Sequence, residues 1–392
     1  MQLVAYGAQD IYLTGNPQIT FFKVVYRRHT NFSMEAIQQT FAGSPGDGQR
    51  QTAIISRNGD LIYRMYFQAK LYVNASDYTI HPNAGSYMVN TVEIEIGGQT
   101  IDRHTGDWLE VFSELTEPNS AALISDGGDD SGTLFQNMSG MGAVSAGKPW
   151  NVGNTRLDKV YVPLQFWFCR NPGLALPLIA LQYHEVKLIV EWNSVTNSAP
   201  TSCDLYVDYI YLDTDERRRF AQVSHEYLIE QLQYHPLEAS KINELNFNHP
   251  VKELIWTSTK YKSVADQSYN HFNSIYDTNY NIKLNGHDRF EPRPRGYFTR
   301  TQIWQHHTGP GGITVDKDIV GPYLSSHLYD TIAVYSFSLK PEEHQPSGTC
   351  NFSRIDNAQL VSEDNILGGT IYAVNYNVLR IMSGMGGLAY SN

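Results

Sequence analysis

Cysteine is scarce. Cys169, Cys203 and Cys350 are the only three in 392 residues. None belongs to a Cys-x-x-Cys pair, which argues against a zinc knuckle or a disulfide framework, and free thiols in a reducing compartment are expected. A basic excess is also missing. Lys and Arg number 29 against 40 Asp and Glu, a net charge of −11. A protein that wraps nucleic acid needs the opposite balance. The most apolar stretch, residues 173–181, contains Pro177 and is far shorter than the ~20 residues of a spanning helix. The opening Met1-Gln2-Leu3-Val4-Ala5-Tyr6 lacks a basic region followed by sustained apolar sequence. A secretory signal is therefore not expected, and a soluble protein is. Helical periodicity is rare. Residues 105–115 place Trp108, Val111, Phe112 and Leu115 at i, i+3, i+4 and i+7, the stripe of one short amphipathic helix.

Strand sequence is abundant. The 26 Tyr and 16 Phe, many beside Val, Ile and Thr, suit a pleated, half-buried surface. Residues 92–96 alternate apolar side chains with Glu93 and Glu95. Residues 205–212 read as a long, mostly buried strand, and 279–284 and 333–339 are similar. Asn58-Gly59, Gly97-Gly98, Asn171-Pro172-Gly173, Asn285-Gly286 and Pro346-Ser347-Gly348 punctuate these runs as turns. Many short strands so spaced imply sandwiches or barrels and argue against βαβ units.

A charged octet at 213–220 follows one long strand and precedes fresh strand sequence at 225–233. It predicts an arm over 1–20, a first domain over 21–213, a linker over 214–222 and a second domain over 223–392. Each domain is large enough for one β-sandwich. The halves share a plan. An aromatic strand at 162–169, a turn and a connector lead to a strand at 183–192; 334–339 leads likewise to 350–360. Residues 117–154, rich in Gly, Ser, Asp and Asn, read as one long exposed loop.

Chemical motifs are weak. Residues 142–148 match G-x-x-x-x-G-K, but Pro149 stands where Ser or Thr should hold magnesium, and neither strand nor helix frames the loop. Gly384-Met385-Gly386-Gly387-Leu388-Ala389 matches G-x-G-x-x-A with no helix to follow, so a small-residue tail packing closely on something is expected. His184-Glu185 and His225-Glu226 lack the second His of a zinc protease. His306-His307 reads as a solvated loop edge. Asp126, Asp129 and Asp130 form an acidic loop without a calcium loop's closing Glu. Arg217, Arg218 and Arg219 follow Asp213, Asp215 and Glu216 and read as self-neutralised. Arg289, Arg293, Arg295 and Arg300 form the densest basic patch, a salt-bridged loop or a partner surface. Four N-x-[S/T] sequons, at Asn31, Asn74, Asn137 and Asn351, are not expected to be glycosylated by the secretory route. No catalytic, cofactor-binding or metal-ligating residue is assigned.

Five longer words are more specific. Residues 14–32 (TGNPQITFFKVVYRRHTNF), 102–108 (DRHTGDW), 162–181 (VPLQFWF, then NPGLALPLIAL), 285–290 (NGHDRF) and 375–390 (NYNVLRIMSGMGGLAY) run in order through both halves. In these words the chain resembles the major capsid proteins of nucleocytoplasmic large DNA viruses. The resemblance implies an all-β fold of two consecutive eight-stranded antiparallel jelly rolls with few short helices. It implies homotrimers, pseudo-hexagonal capsomers that tile an icosahedral shell over an internal membrane, and no enzymatic activity or cofactor. The implied partners are other copies of the chain, neighbouring trimers, minor capsid proteins and internal membrane proteins, with no direct nucleic-acid contact. The implied location is the virion, after assembly in the host cytoplasm. Interface candidates are Gln2, Leu3, Tyr6, Tyr12 and Asn16 in the arm, Arg293 and Arg295 in the basic patch, and Met385 and Tyr390 in the tail. A competing reading is a double-jelly-roll protein that binds or cleaves glycans, which needs two carboxylates in a cleft lined by aromatic rings.

Overall fold

The computed structural model describes residues 14–24, 26–71, 83–117, 123–126, 129–142, 159–195, 198–260, 272–315 and 328–390. Among the described residues, eight strands form the main sheets of the first half, besides a two-residue strand at Leu176–Pro177 and a short hairpin: β1 (Phe32–Gln39), β2 (Arg50–Ile54), β3 (Leu61–Lys70), β4 (Val89–Ile96), β5 (Gln99–Thr105), β6 (Lys159–Pro163), β7 (Val186–Trp192) and β8 (Ser202–Leu212). They pair antiparallel in two sheets, ordered β1-β8-β3-β6 and β2-β7-β4-β5. The second half uses β9 (His225–Leu237), β10 (Ile242–Glu244), β11 (Pro250–Thr257), β12 (Asn279–Leu284), β13 (His287–Asp288), β14 (Ile332–Ser336), β15 (Ala358–Ser362) and β16 (Gly369–Met382). Its sheets run β9-β16-β11-β14 and β10-β15-β12-β13. The two halves thus repeat one strand order, that of a jelly roll. A last strand, β17 (Met385–Leu388), folds back on β16.

Local chemistry explains the elements. In β4, Val92, Ile94 and Ile96 are fully buried in the first core. Glu93 faces the other way and meets Arg103 at 2.9 Å. Gly97 and Gly98, at φ 59° and 88°, close the β4–β5 hairpin in the left-handed conformation that a two-residue turn demands. In β8, Leu205, Val207 and Tyr209 are buried while Tyr206 and Asp208 are half-buried. That strand therefore alternates and is not buried throughout.

Helices are few: α1 (Gly106–Thr116), α2 (Leu134–Ser139), α3 (Thr214–Gln222) and α4 (Gln302–His306) have the bounds used below. The linker expected over 214–222 is helical along its length, as α3. Asp213 caps it by accepting from Glu216 N at 2.9 Å, and Arg217 reaches away to Asp60 at 2.8 Å instead of being neutralised by its neighbours. Within the stretch read as one loop, Thr133 and Gln136 form a capping box that starts α2. Leu123–Asp126 and Asp129–Thr133 pair as a short hairpin. The aromatic strand expected at 162–169 stops at Pro163, and Trp167–Arg170 is a helical turn that buries Trp167 and Phe168. The strand expected at 350–360 is likewise broken, by a 3₁₀ turn at Phe352–Arg354 where the Asn351 side chain accepts from Ser353 N. Buried aromatics look alike in strands and turns, and periodicity alone does not separate them.

Candidate assembly surfaces and the junction behind them

The two jelly rolls are joined by a packed junction, and α1 is its centre. Thr105 Oγ1 caps the helix by accepting from Trp108 N at 3.1 Å. Gly106 lies so close to Ser86 and Val89 that a Cβ there would sit 2.2 Å from the Val89 carbonyl oxygen. Trp108, Val111 and Leu115 are all buried, in one cluster with Leu232, Ile255 and Val374 of the second half. Trp108 packs on Tyr372 with ring centroids 5.3 Å apart. Sheet β9-β16-β11-β14 is therefore covered on both faces. Ile371 and Ala373 look into their own core, while Tyr372 and Val374 look at α1. Double burial explains why residues 371–377 are buried without alternation.

The C-terminal end of α1 meets a second-half loop. Gly309 N donates to Leu115 O at 2.7 Å, Gly311 N to Glu114 O at 3.0 Å and Thr308 Oγ1 to Thr116 O at 3.2 Å. These bonds satisfy the helix's last carbonyls. Beside α1, Asp102 accepts from Leu232 N at 3.0 Å and stands 2.9 Å from His104, both side chains being 1% exposed. His104 stacks on Phe166 at 4.7 Å.

A buried ionic chain runs along the same junction. Glu230 meets Arg170 at 2.7 Å and Lys252 at 2.9 Å. His307 lies 3.0 Å from Glu253 through Nε2 and 3.0 Å from Glu342 through Nδ1. Burial alone would lower the His307 pKa; the Glu253 and Glu342 carboxylates outweigh it and raise it to about 9. Burial likewise pushes Glu230 up, but Arg170 and Lys252 hold it below the usual carboxylate value. His307, with a side chain only 2% exposed, is thus an ion-pair member and not a solvated loop edge. A cavity of about 160 Å³ sits here, lined among others by Trp108, Phe112, Arg170, Lys252, His307 and Glu342. Sequence reading missed this cluster. The only hint was Lys252 and Glu253 inside the otherwise apolar run of β11.

The C-terminal hairpin crosses to the first half. Ser383 and Gly384 turn it at φ 52° and 79°. Tyr183 N donates to Gly384 O at 2.9 Å, and His184 Nδ1 lies 3.0 Å from Gly386 O. A Cβ on Gly386 would sit 2.6 Å from Leu181. The small-residue tail packs closely, and its partner is the other jelly roll.

The interface candidates are dispersed. Gln2, Leu3, Tyr6 and Tyr12 lie outside the described residues, as do residues 143–148 of the phosphate-loop match. Asn16 is exposed, at φ 53°. Arg293 is exposed and stacks over the Tyr297 ring at 4.6 Å. Arg295 is turned inward: its guanidinium donates to Ile275 O at 2.8 Å and, with Arg300, meets the buried Asp330. Met385 and Tyr390 are more than half exposed. Among the described residues no group of three His, Cys, Asp or Glu is placed to hold a metal. Burial pushes the Cys169 thiol up to about 12 and raises Cys350 as well, which makes both poor nucleophiles.

Residues 20–213 match the family model of the major capsid protein N-terminus, and residues 216–387 that of the large eukaryotic DNA virus major capsid protein. The major capsid protein of Pyramimonas orientalis virus is 53% identical over 410 aligned positions, which cover 100% of this chain and 99% of that one. This chain belongs to the major capsid proteins of large eukaryotic DNA viruses. The corresponding protein of Paramecium bursaria Chlorella virus 1 is 42% identical over 470 positions, with the same coverage. Against 392 residues here, that length means the relative carries insertions. Among solved structures, VP54 of PBCV-1, fitted into a reconstruction of the virophage Sputnik, superposes with a TM-score of 0.73 at 35% identity, covering 95% of this chain and 100% of that one. The Faustovirus major capsid protein, at 13% identity and a TM-score of 0.61, shares the fold. The fold is the double jelly roll, and the chain is a structural protein of the virion and not an enzyme. Glu253 and Glu342, the carboxylates nearest the aromatic cavity, are committed to His307 as part of a capsid subunit's internal brace.

Proposed function

We propose that three copies of this chain close into a trimeric capsomer with a pseudo-hexagonal outline, and that these capsomers tile an icosahedral shell. One observation carries the reading: both halves repeat the same strand order and are locked by a shared buried cluster. A three-fold object made of such doubled subunits presents six similar walls, and six similar walls tile like a hexagon. Permanent walls inside the trimer would be large and apolar, while contacts between trimers would be smaller and more polar.

The shell would surround an internal membrane, with minor capsid proteins and internal membrane proteins on its inner side. Assembly would take place in the host cytoplasm. The net charge of −11 supports a layer that does not touch the genome. Arg293, Met385 and Tyr390, exposed on the second jelly roll and its tail, are proposed contact residues between copies. The test is the solution mass of the full chain by light scattering over a range of salt. A salt-resistant species near 133 kDa, three times the 44.4 kDa chain, is expected, with hexagonal outlines on imaging. A chain that stays at 44.4 kDa at every concentration overturns the reading.

A further inference from the structure

Four of the five family-like words are engaged by contacts within the chain. Residues 102–108 build the α1 junction, 162–181 fill the first core, 285–290 form the β12–β13 turn, and 375–390 cross between the halves. Among the described residues of the first word, 14–32, none belongs to a buried apolar cluster, and its last residue, Phe32, begins β1 opposite Leu212. Every described residue from 14 to 36 is exposed. Phe21 is 90% exposed, Phe22 99% and Tyr26 86%, and Ile19, Val24 and Phe32 are more than half exposed. Exposed apolar side chains are ordinary singly, but a contiguous run of this size marks an interaction surface.

The run continues into β1, whose first five residues are exposed. β1 pairs with β8 and stands last in its sheet. An edge strand whose first five residues are exposed, Phe32 and Met34 by about half, is a feature that folded proteins cover. At roughly 150 Å² exposed per large side chain, Met34 and the six named above offer on the order of 1,000 Å². A standard interface uses ~800 Å² per partner.

Charge points to the partner. Residues 19–36 hold Lys23, Arg27 and Arg28 against the single Glu35, so the segment carries +2 and the rest of the −11 chain carries −13. We propose that residues 19–36 form an exchanged arm that lies on a second copy of this chain within the assembly. The inference rests on the trimer reading and names the segment that ties the copies together. Its aromatic residues supply buried area, and its three cations meet an acidic neighbour.

Two full-chain experiments test it. With the photo-crosslinker p-benzoylphenylalanine replacing Phe22, irradiation of the assembled species is expected to give a product of twice the chain mass on a denaturing gel. The product is lost at dilutions where light scattering reports single chains. In a second variant, F21S/F22S/Y26S, association is expected to weaken at least tenfold. Monomer thermal unfolding stays unchanged, because these side chains touch no core. Crosslinks confined to single chains, or a variant that assembles like the parent, overturn the arm and leave the trimer standing. Hydrogen-exchange protection of residues 19–36 that appears only with vesicles containing phosphatidylserine overturns it in favour of a lipid partner. A parent chain that never associates overturns both.

Discussion

A methyl group at position 309 would sit 2.4 Å from the Glu114 carbonyl oxygen and 2.6 Å from the Leu115 carbonyl carbon. That spacing admits only glycine, because the second half's loop approaches the end of α1 backbone to backbone. Nearby, His307 makes the junction pH-dependent. Its pKa is about 9 in the folded protein, above the ~6.5 of a free histidine. The imidazolium's contribution is therefore fully present below about pH 6.5 and is lost as pH rises through about 9. At ~1.4 kcal/mol per unit, the loss is at most about 3.5 kcal/mol. Thermal unfolding followed from pH 6 to pH 10 is expected to show this decline, and His307→Gln to flatten it. A parent and a variant with parallel profiles would refute the assignment.

At the scale of elements, α1 does two jobs. It completes the first sandwich and covers the outer face of the second one's β9-β16-β11-β14 sheet. Trp108→Ala should cost about 3–5 kcal/mol, as for other fully buried aromatics. Removal of the Thr105 cap by T105A should cost ~1 kcal/mol, measured by urea denaturation. A Trp108→Ala loss under 1 kcal/mol would mean that the junction does not depend on the helix. The α1 span was legible because four apolar residues fall on one helical stripe. The end of β6 was not, because Phe166, Trp167 and Phe168 are as apolar in a helical turn as in a strand.

For the whole molecule, the junction predicts mutual dependence. Residues 223–392 produced alone would bare Leu232, Ile255, Tyr372 and Val374, which α1 otherwise covers. That fragment is expected to aggregate and to be rescued by co-production with residues 1–222. A fragment that stays monomeric and folded by itself would show that the halves are joined only by the chain. In the proposed tiled shell, the junction would hold the two jelly rolls of one subunit together as a wall pair.

The sequence by itself determined the class of fold, its doubling and the family. Strand alternation, paired turn residues and long family words are local signals, and each can be read without knowing what lies opposite. The partner of each buried charge was decided only by tertiary structure. His307 looked like a solvated edge because its neighbours in sequence are polar, and Glu253 and Glu342 come to it from 54 and 35 residues away. Arg295 was read in a salt-bridged loop or a partner surface, and only the fold supplied Asp330 as its ion-pair partner. The glycine tail promised close packing, but only the fold showed that it packs on Tyr183 and Leu181 of the other half. Periodicity states which face of an element is apolar; chain topology decides what that face meets.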